Sequence, residues 1–266
     1  MAYGKWPASG EIDILESRGN NLIVDPVRGT EAGNNCFGST LHWGPYFPAN
    51  GFEKTHESVC LPDGRSFADE WHTYTLDWTT EYISFELDGD EFMRVPKPEN
   101  GFWSLGQFEE DFPGSANPWT SGSDMAPFDS EFYLLINLAV GGANDYWSDD
   151  FWYENRKPWR TTSSQAMLDF WNDRAKWETT WNGEEAALKI GKIRMWKRGD
   201  GSEELDQAFK PRARRQLKKV RVYMKLLNNE TFFKGLDENG QLVKAKREDC
   251  AIRATTTWRS YLSRAL

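Results

Sequence analysis

The sequence predicts an all-β sandwich or jelly roll, and three observations carry that prediction. Short segments of alternating polar and apolar residues recur up to about residue 198. Gly, Pro, Asn and Asp punctuate them, and aromatic residues reach 15% of the 266-residue chain, 14 of them Trp. Side chains alternate between the two faces of a strand, so a period of two between turn residues marks half-buried strands stacked in layers. Aromatic residues suit such a core, and Trp, with a flat apolar face and one N–H donor, also suits stacking on sugars.

The predicted elements follow in chain order. Residues Glu11 to Leu15 alternate. Phe37 to Trp43 reads as a strand stopped by Gly44-Pro45. Trp71 to Trp78 alternates again. Tyr82 to Leu87, then Asp88-Gly89, then Phe92 to Val95 spell a hairpin, because Asp-Gly adopts the positive φ values of a two-residue turn. Phe132 to Val140 is a continuous apolar run, expected to be a strand buried on both faces. Leu188 to Trp196 closes the series. Two irregular stretches, Asn100 to Asp129 and Gly141 to Arg160, are rich in aromatics and are expected to be loops lining a cleft. Ser163 to Arg174 has Met167, Phe170, Trp171 and Arg174 at helical spacing and predicts the one short helix of the body.

A boundary falls near Gly199-Asp200-Gly201-Ser202, dividing the chain into a domain over 1–198 and a basic extension over 199–266. Net charge is −9, but residues 211–266 hold 14 Lys/Arg against 5 Asp/Glu, leaving 18 against 36 before them. An acidic body argues against nucleic acid as a ligand and does not repel a neutral sugar polymer. Pro211 to Lys225 has seven basic residues and no acid, which fits a solvated helix or disordered tail, or a polyanion-binding arm. Asn229-Glu230-Thr231 fits a glycosylation sequon. No C-x-x-C occurs among Cys36, Cys60 and Cys250, so no zinc site is expected. Cys36 and Cys60 flank a strand pair and would bond only if the chain is exported, leaving Cys250 over. No run of 18 apolar residues predicts a membrane span, and Met1 to Pro7 lacks the apolar region of a signal peptide.

The chemistry concentrates in Trp6-Pro7-Ala8-Ser9-Gly10-Glu11-Ile12-Asp13-Ile14-Leu15-Glu16-Ser17-Arg18-Gly19-Asn20. Glu11 and Asp13 share a strand face, with Ile12 and Ile14 on the other. Strict alternation would then bury Glu16 and expose Leu15, a costly exchange. One extra residue, a β-bulge at Ile14-Leu15, returns Glu16 to the face of the other acids. Three carboxylates in a row repel one another and raise the pKa of at least one. Glycoside hydrolysis requires such a division, with one carboxylate ionised and another protonated.

This stretch resembles the catalytic strand of glycoside hydrolase family sixteen, in particular its β-1,3-glucanases and the related animal β-1,3-glucan-binding proteins. The resemblance continues through Gly38-Ser39-Thr40-Leu41-His42-Trp43-Gly44-Pro45, Trp71-His72-Thr73-Tyr74, Met125 to Asp129, Phe132 to Gly142, Trp181-Asn182-Gly183 and the strand ending at Trp196. It implies a concanavalin-like jelly-roll sandwich in which Glu11 is the nucleophile, Asp13 the assisting acid and Glu16 the general acid/base. It implies Trp6, His42, Trp43, Trp119 and Asn144 as substrate-binding residues. Gly191 stands where some relatives carry an acid, so neither metal nor cofactor is expected. The implied activity is retaining endo-hydrolysis of β-1,3-glucan by an extracellular monomer. The alternative is non-catalytic glucan recognition in innate immunity, although relatives of that kind commonly lose the carboxylates retained here. The family domain extends on the order of a hundred residues upstream of this motif, so the first strands are expected to be missing. The chain alone is accordingly expected to be poorly folded and inactive.

Overall fold

A computed structural model of the chain describes residues 2–62, 64–181, 187–196, 219–225, 235–236 and 242–243. The strands are β1 (Glu11–Ser17), β2 (Ile23–Asp25), β3 (Thr30–Glu31), β4 (Cys36–His42), β5 (His56–Cys60), β6 (His72–Trp78), β7 (Tyr82–Leu87), β8 (Asp90–Pro96), β9 (Trp152–Tyr153), β10 (Lys189–Trp196) and β11 (Lys219–Lys225). A last short pair joins Gly235–Leu236 to Leu242–Val243. Cys250 and the Asn229 sequon lie outside the described residues.

Two antiparallel sheets enclose the core of this jelly roll. One has the order β1-β4-β5 and the other β10-β11-β6-β7-β8, with a small β3-β2-β9 sheet beside them. Phe37 of β4 meets Tyr74 of β6 edge-on at 5.0 Å and Phe92 of β8 at 5.5 Å, so side chains of the two sheets interdigitate. Leu41, Leu76, Ile83, Phe85, Met93 and Val95 complete the interior, with Ile12 and Ile14 packed against it. The predicted hairpin is present: Asp88 and Gly89 take φ values of 54° and 99° between β7 and β8.

Cys36 and Cys60 are cross-strand partners in β4 and β5 and are bonded, with sulfurs 2.06 Å apart. The bridge closes a loop of 24 residues in sequence separation. Cross-linking a loop of that size removes about 3 kcal/mol of chain entropy from the unfolded state. Cys36→Ser together with Cys60→Ser should therefore lower unfolding free energy by about 2–4 kcal/mol in urea titrations. A difference below about 0.5 kcal/mol would mean the bridge constrains nothing.

Three expectations change. Residues 132–140 are not a strand buried on both faces. They form no regular element, with Phe132, Leu134, Ile136 and Leu138 half-buried and Tyr133 and Leu135 exposed at 80% and 60%. No strand partner flanks them among the described residues, so only the core-facing row is covered. The stretch from Asn100 is partly helical, with α1 (Gly101–Gly106) and α2 (Phe108–Asp111). Their Phe102 and Phe108 turn inward onto Trp43 at ring distances of 5.0 and 5.5 Å. Finally, Lys219–Lys225 is neither helix nor tail but strand β11, paired on both sides between β10 and β6. The helix predicted near residue 163 forms as α3 (Ala166–Asn172), followed by α4 (Arg174–Trp177).

Candidate active site

The bulge is where the sequence places it. Asp13 pairs with Thr40 and Glu16 with Gly38, so β1 spends three residues where β4 spends two. The extra residue leaves backbone polar groups without a ladder partner. The hydroxyl of fully buried Ser39 donates to the Ile14 carbonyl at 2.7 Å and so stabilises the irregularity. At the end of the strand the Ser17 hydroxyl donates to the Cys36 carbonyl at 2.6 Å. With the bulge fixed, Glu11, Asp13 and Glu16 share one face.

Each acid meets a different partner. Trp6 donates its indole N–H to Glu11 Oε2. His42, directly across from Glu11 in β4, lies with Nε2 3.2 Å from Asp13 Oδ2. Burial, and then the charges of Asp13 and Glu11, push the Glu16 carboxyl up to about 7, while His42 and Arg18 pull the other way. Burial lowers the His42 pKa, but the Asp13 hydrogen bond and the charges of Asp13, Glu11 and Glu16 outweigh it and leave it raised. The row thus contains one carboxyl, Glu16, that holds a proton near neutrality.

A second tier stands behind this one on β5. Thr40 Oγ1 and His56 Nδ1 are 2.9 Å apart, and Ser58 Oγ lies 3.0 Å from His56 Nε2. Gly38, opposite Glu16, leaves room for this ring: a Cβ there would come within 2.8 Å of His56 Cε1. Arg18, two residues past Glu16, bonds the Tyr146 carbonyl through Nε at 2.9 Å and lies 3.8 Å over the Tyr146 ring. It thereby ties the end of β1 to the 141–160 loop.

The aromatic residues divide. Trp6 lies 5.5 Å from the His42 ring and 5.7 Å from Phe47, which is 69% exposed. Phe52 flanks His42 on another side at 5.4 Å. These rings form an apolar fringe beside Glu11. Trp43 and Trp119, expected as substrate contacts, are buried at 0% and 5% exposure. Trp43 follows His42 in the strand and so points to the opposite face, where its indole N–H donates to Thr55 Oγ1 at 2.8 Å. Trp119 packs 6.5 Å from Trp43 and donates to the Ala8 carbonyl at 2.7 Å. Both belong to the hydrophobic core. Asn144 is half-buried, with its side-chain oxygen enclosed rather than presented outward. A cavity of about 120 Å³ lined by Asn100, Trp103, Asn117, Trp119 and Asp124 includes none of the three carboxylates.

Glu11, Asp13 and His42 each bring one oxygen or nitrogen within 4.8 Å of the others. The Asp13–His42 pairing accounts for that grouping, and we assign no metal centre to it. Sequence reasoning did not single out Arg18, Asn50, His56 or Phe47. Only Arg18 left a local signal, a cation two residues after the last acid.

No protein-family model matches the chain. It is similar to the β-1,3-glucan-binding protein of Penaeus monodon, at 45% identity over 201 residues, covering 73% of this chain and 51% of that protein. It is similar to β-1,3-glucan-binding protein 1 of Manduca sexta, at 32% identity over 62% of this chain and 32% of that protein. It is also similar to glucan endo-1,3-beta-glucosidase A1 of Niallia circulans, at 34% identity over 54% of this chain and 17% of that protein. The chain therefore spans about half the length of the Penaeus relative, and less of the others. Among solved structures, a glycoside hydrolase family 16 endo-glucanase from Bacteroides ovatus matches with a TM-score of 0.27 and 26% identity over 35% of each chain.

Proposed function

The chain is a homologue of the β-1,3-glucan-binding proteins and belongs with them to glycoside hydrolase family sixteen, and from that premise we propose that it binds β-1,3-glucan and hydrolyses it internally with retention of configuration. The observation that carries this reading is the row Glu11, Asp13 and Glu16 on one bulged strand, with the Glu16 carboxyl near 7. Glu16, protonated below that pH, gives its proton to the glycosidic oxygen as the bond to the anomeric carbon breaks. Glu11, held by the Trp6 indole, attacks that carbon and forms a glycosyl ester. Glu16, now ionised, takes a proton from water, which attacks the ester and frees Glu11. Asp13 stands between them, and its charge raises the Glu16 pKa. Trp6 and exposed Phe47 offer the sugar faces to stack on.

A second reading, glucan recognition without turnover, is favoured by the names of the Penaeus and Manduca relatives. Laminarin separates the two. The hydrolytic reading expects reducing-end release, with the β anomer first in proton NMR. Initial α anomer would refute a nucleophilic Glu11. Saturable binding without reducing ends would leave the recognition reading standing. In either case Trp6→Ala with Phe47→Ala should weaken laminarin binding by about tenfold or more, each lost stacking contact being worth about 1 kcal/mol. The Cys36–Cys60 bridge supports an oxidising, extracellular setting. No helix among the described residues is long and apolar enough to cross a membrane.

A further inference from the structure

His42 has two ring nitrogens, and a different neighbour faces each. Nε2 faces Asp13 Oδ2 at 3.2 Å, and Nδ1 faces Asn50 Nδ2 at 2.8 Å. The orientation of the Asn50 amide therefore decides what Nδ1 must be. Asn50 Oδ1 accepts from two backbone N–H groups, of Trp43 and of Phe52, each at 3.3 Å. Those two donors fix the oxygen on their side, because the flipped amide would aim its own hydrogens at them. The NH₂ group is left pointing at His42. An amide nitrogen only donates, so Nδ1 must carry its lone pair and the single ring proton must sit on Nε2.

We propose that Asn50 is a positioning residue: it holds His42 in the neutral Nε2–H form, which donates to Asp13 and so keeps the mobile proton of the row on Glu16. The tautomer follows from hydrogen bonding alone. Only its consequence for turnover rests on the acid/base reading of the carboxylate row. The ionisable groups facing His42 are Glu11, Asp13 and Glu16 from β1 and His56 from β5. The 47–54 turn contributes the amide of Asn50 and the ring of Phe52. The three carboxylates favour an imidazolium, and the Asn50 amide opposes it by denying the second proton an acceptor. A positive charge at this position pulls the Glu16 pKa down, and a neutral ring removes that pull.

The chain has three histidines, which makes the state of each readable by ¹⁵N NMR of the histidine-labelled 266-residue chain. His72 is an internal contrast, since its Nδ1 lies 2.7 Å from Asp88 Oδ2 and must bear the proton. The expected result at neutral pH is a neutral His42 with a protonated Nε2 and a bare Nδ1, the reverse of His72. An Nδ1–H tautomer or an imidazolium at His42 in the unmodified protein would overturn the proposal without any variant. Asn50→Asp gives Nδ1 an acceptor, and the imidazolium-to-imidazole ratio of His42 at a given pH should rise at least about tenfold. An unchanged ratio in a folded Asn50→Asp protein would also overturn it. In laminarin hydrolysis the same variant should move the alkaline fall of kcat to lower pH with KM little changed. Absence of hydrolysis in the unmodified chain would instead count against the functional reading and leave the tautomer result intact.

Discussion

Glu16→Gln is expected to lower laminarin hydrolysis by about 10²–10⁴-fold while leaving laminarin binding in place, because the amide keeps the shape and loses the transferable proton. Glu11→Gln should be at least as severe, since it removes the attacking oxygen. Turnover and binding are measured on the same preparations, and near-normal turnover in either folded variant would sink the assignment. The pH dependence follows from burial of Glu16 beside two acids, which lifts its carboxyl from 4.5 to about 7. Activity that needs the protonated acid should fall as pH rises through about 7. Stability moves in the same direction. The folded state holds this proton more tightly than the unfolded chain, so the associated stabilisation is complete below about 4.5 and is lost as pH rises through 7. Glu16→Gln does not ionise. It should therefore gain about 2–3 kcal/mol over the unmodified protein at alkaline pH and little in acid. A stability difference independent of pH would mean that Glu16 titrates normally.

Trp43→Ala is expected to cost about 3–5 kcal/mol. Trp43 is fully buried and meets Phe102, Phe108 and Trp119. Its ring lies so close to Gly51 that a Cβ there would fall 2.6 Å from a ring carbon. Removing the indole opens a cavity and takes away one partner of Thr55 Oγ1, which keeps its own bond to the Leu41 carbonyl at 3.0 Å. Whole domains are stable by only about 5–15 kcal/mol, so the variant should lie close to unfolding at ambient temperature. Urea denaturation measures it, with Trp43→Phe as a partial loss. A cost below about 1 kcal/mol would mean that Trp43 does not fill the core as described.

How far the sequence could be read depended on the range of the physics involved. The bulge was legible because it answers a local conflict: Leu15 and Glu16 each fall on the wrong face under strict alternation. The hairpin at Asp88-Gly89 was legible for a similar reason, its turn being spelled by two adjacent residues. Trp43 was misplaced because proximity to His42 in the motif suggested a shared face, whereas neighbouring strand residues face opposite ways. The burial of residues 132–140 was not legible, because an apolar run says nothing about which side has neighbours. Asn50 left no sequence signal at all. It sits eight residues from His42 along the chain, and its role exists only once the turn carries its amide back to the imidazole. The strand at Lys219–Lys225 was hidden by its charge, because its pairing with both β10 and β6 is made by the backbone and not by the side chains.

The extra residue in β1 also sets which changes of length the motif can absorb. Between Asp13 and Glu16 the strand already carries one residue more than its partner. Deleting Ile14 or Leu15 would erase the bulge and leave a regular strand with all three acids still on one side. Deleting Ile12 would instead turn Glu11 away from Asp13, and an insertion there would do the same. Insertions and deletions at this strand are thus unequal in their consequences. A shorter spacing on the Glu16 side preserves the acid row, whereas any one-residue change on the Glu11 side breaks it even though every carboxylate remains in the sequence.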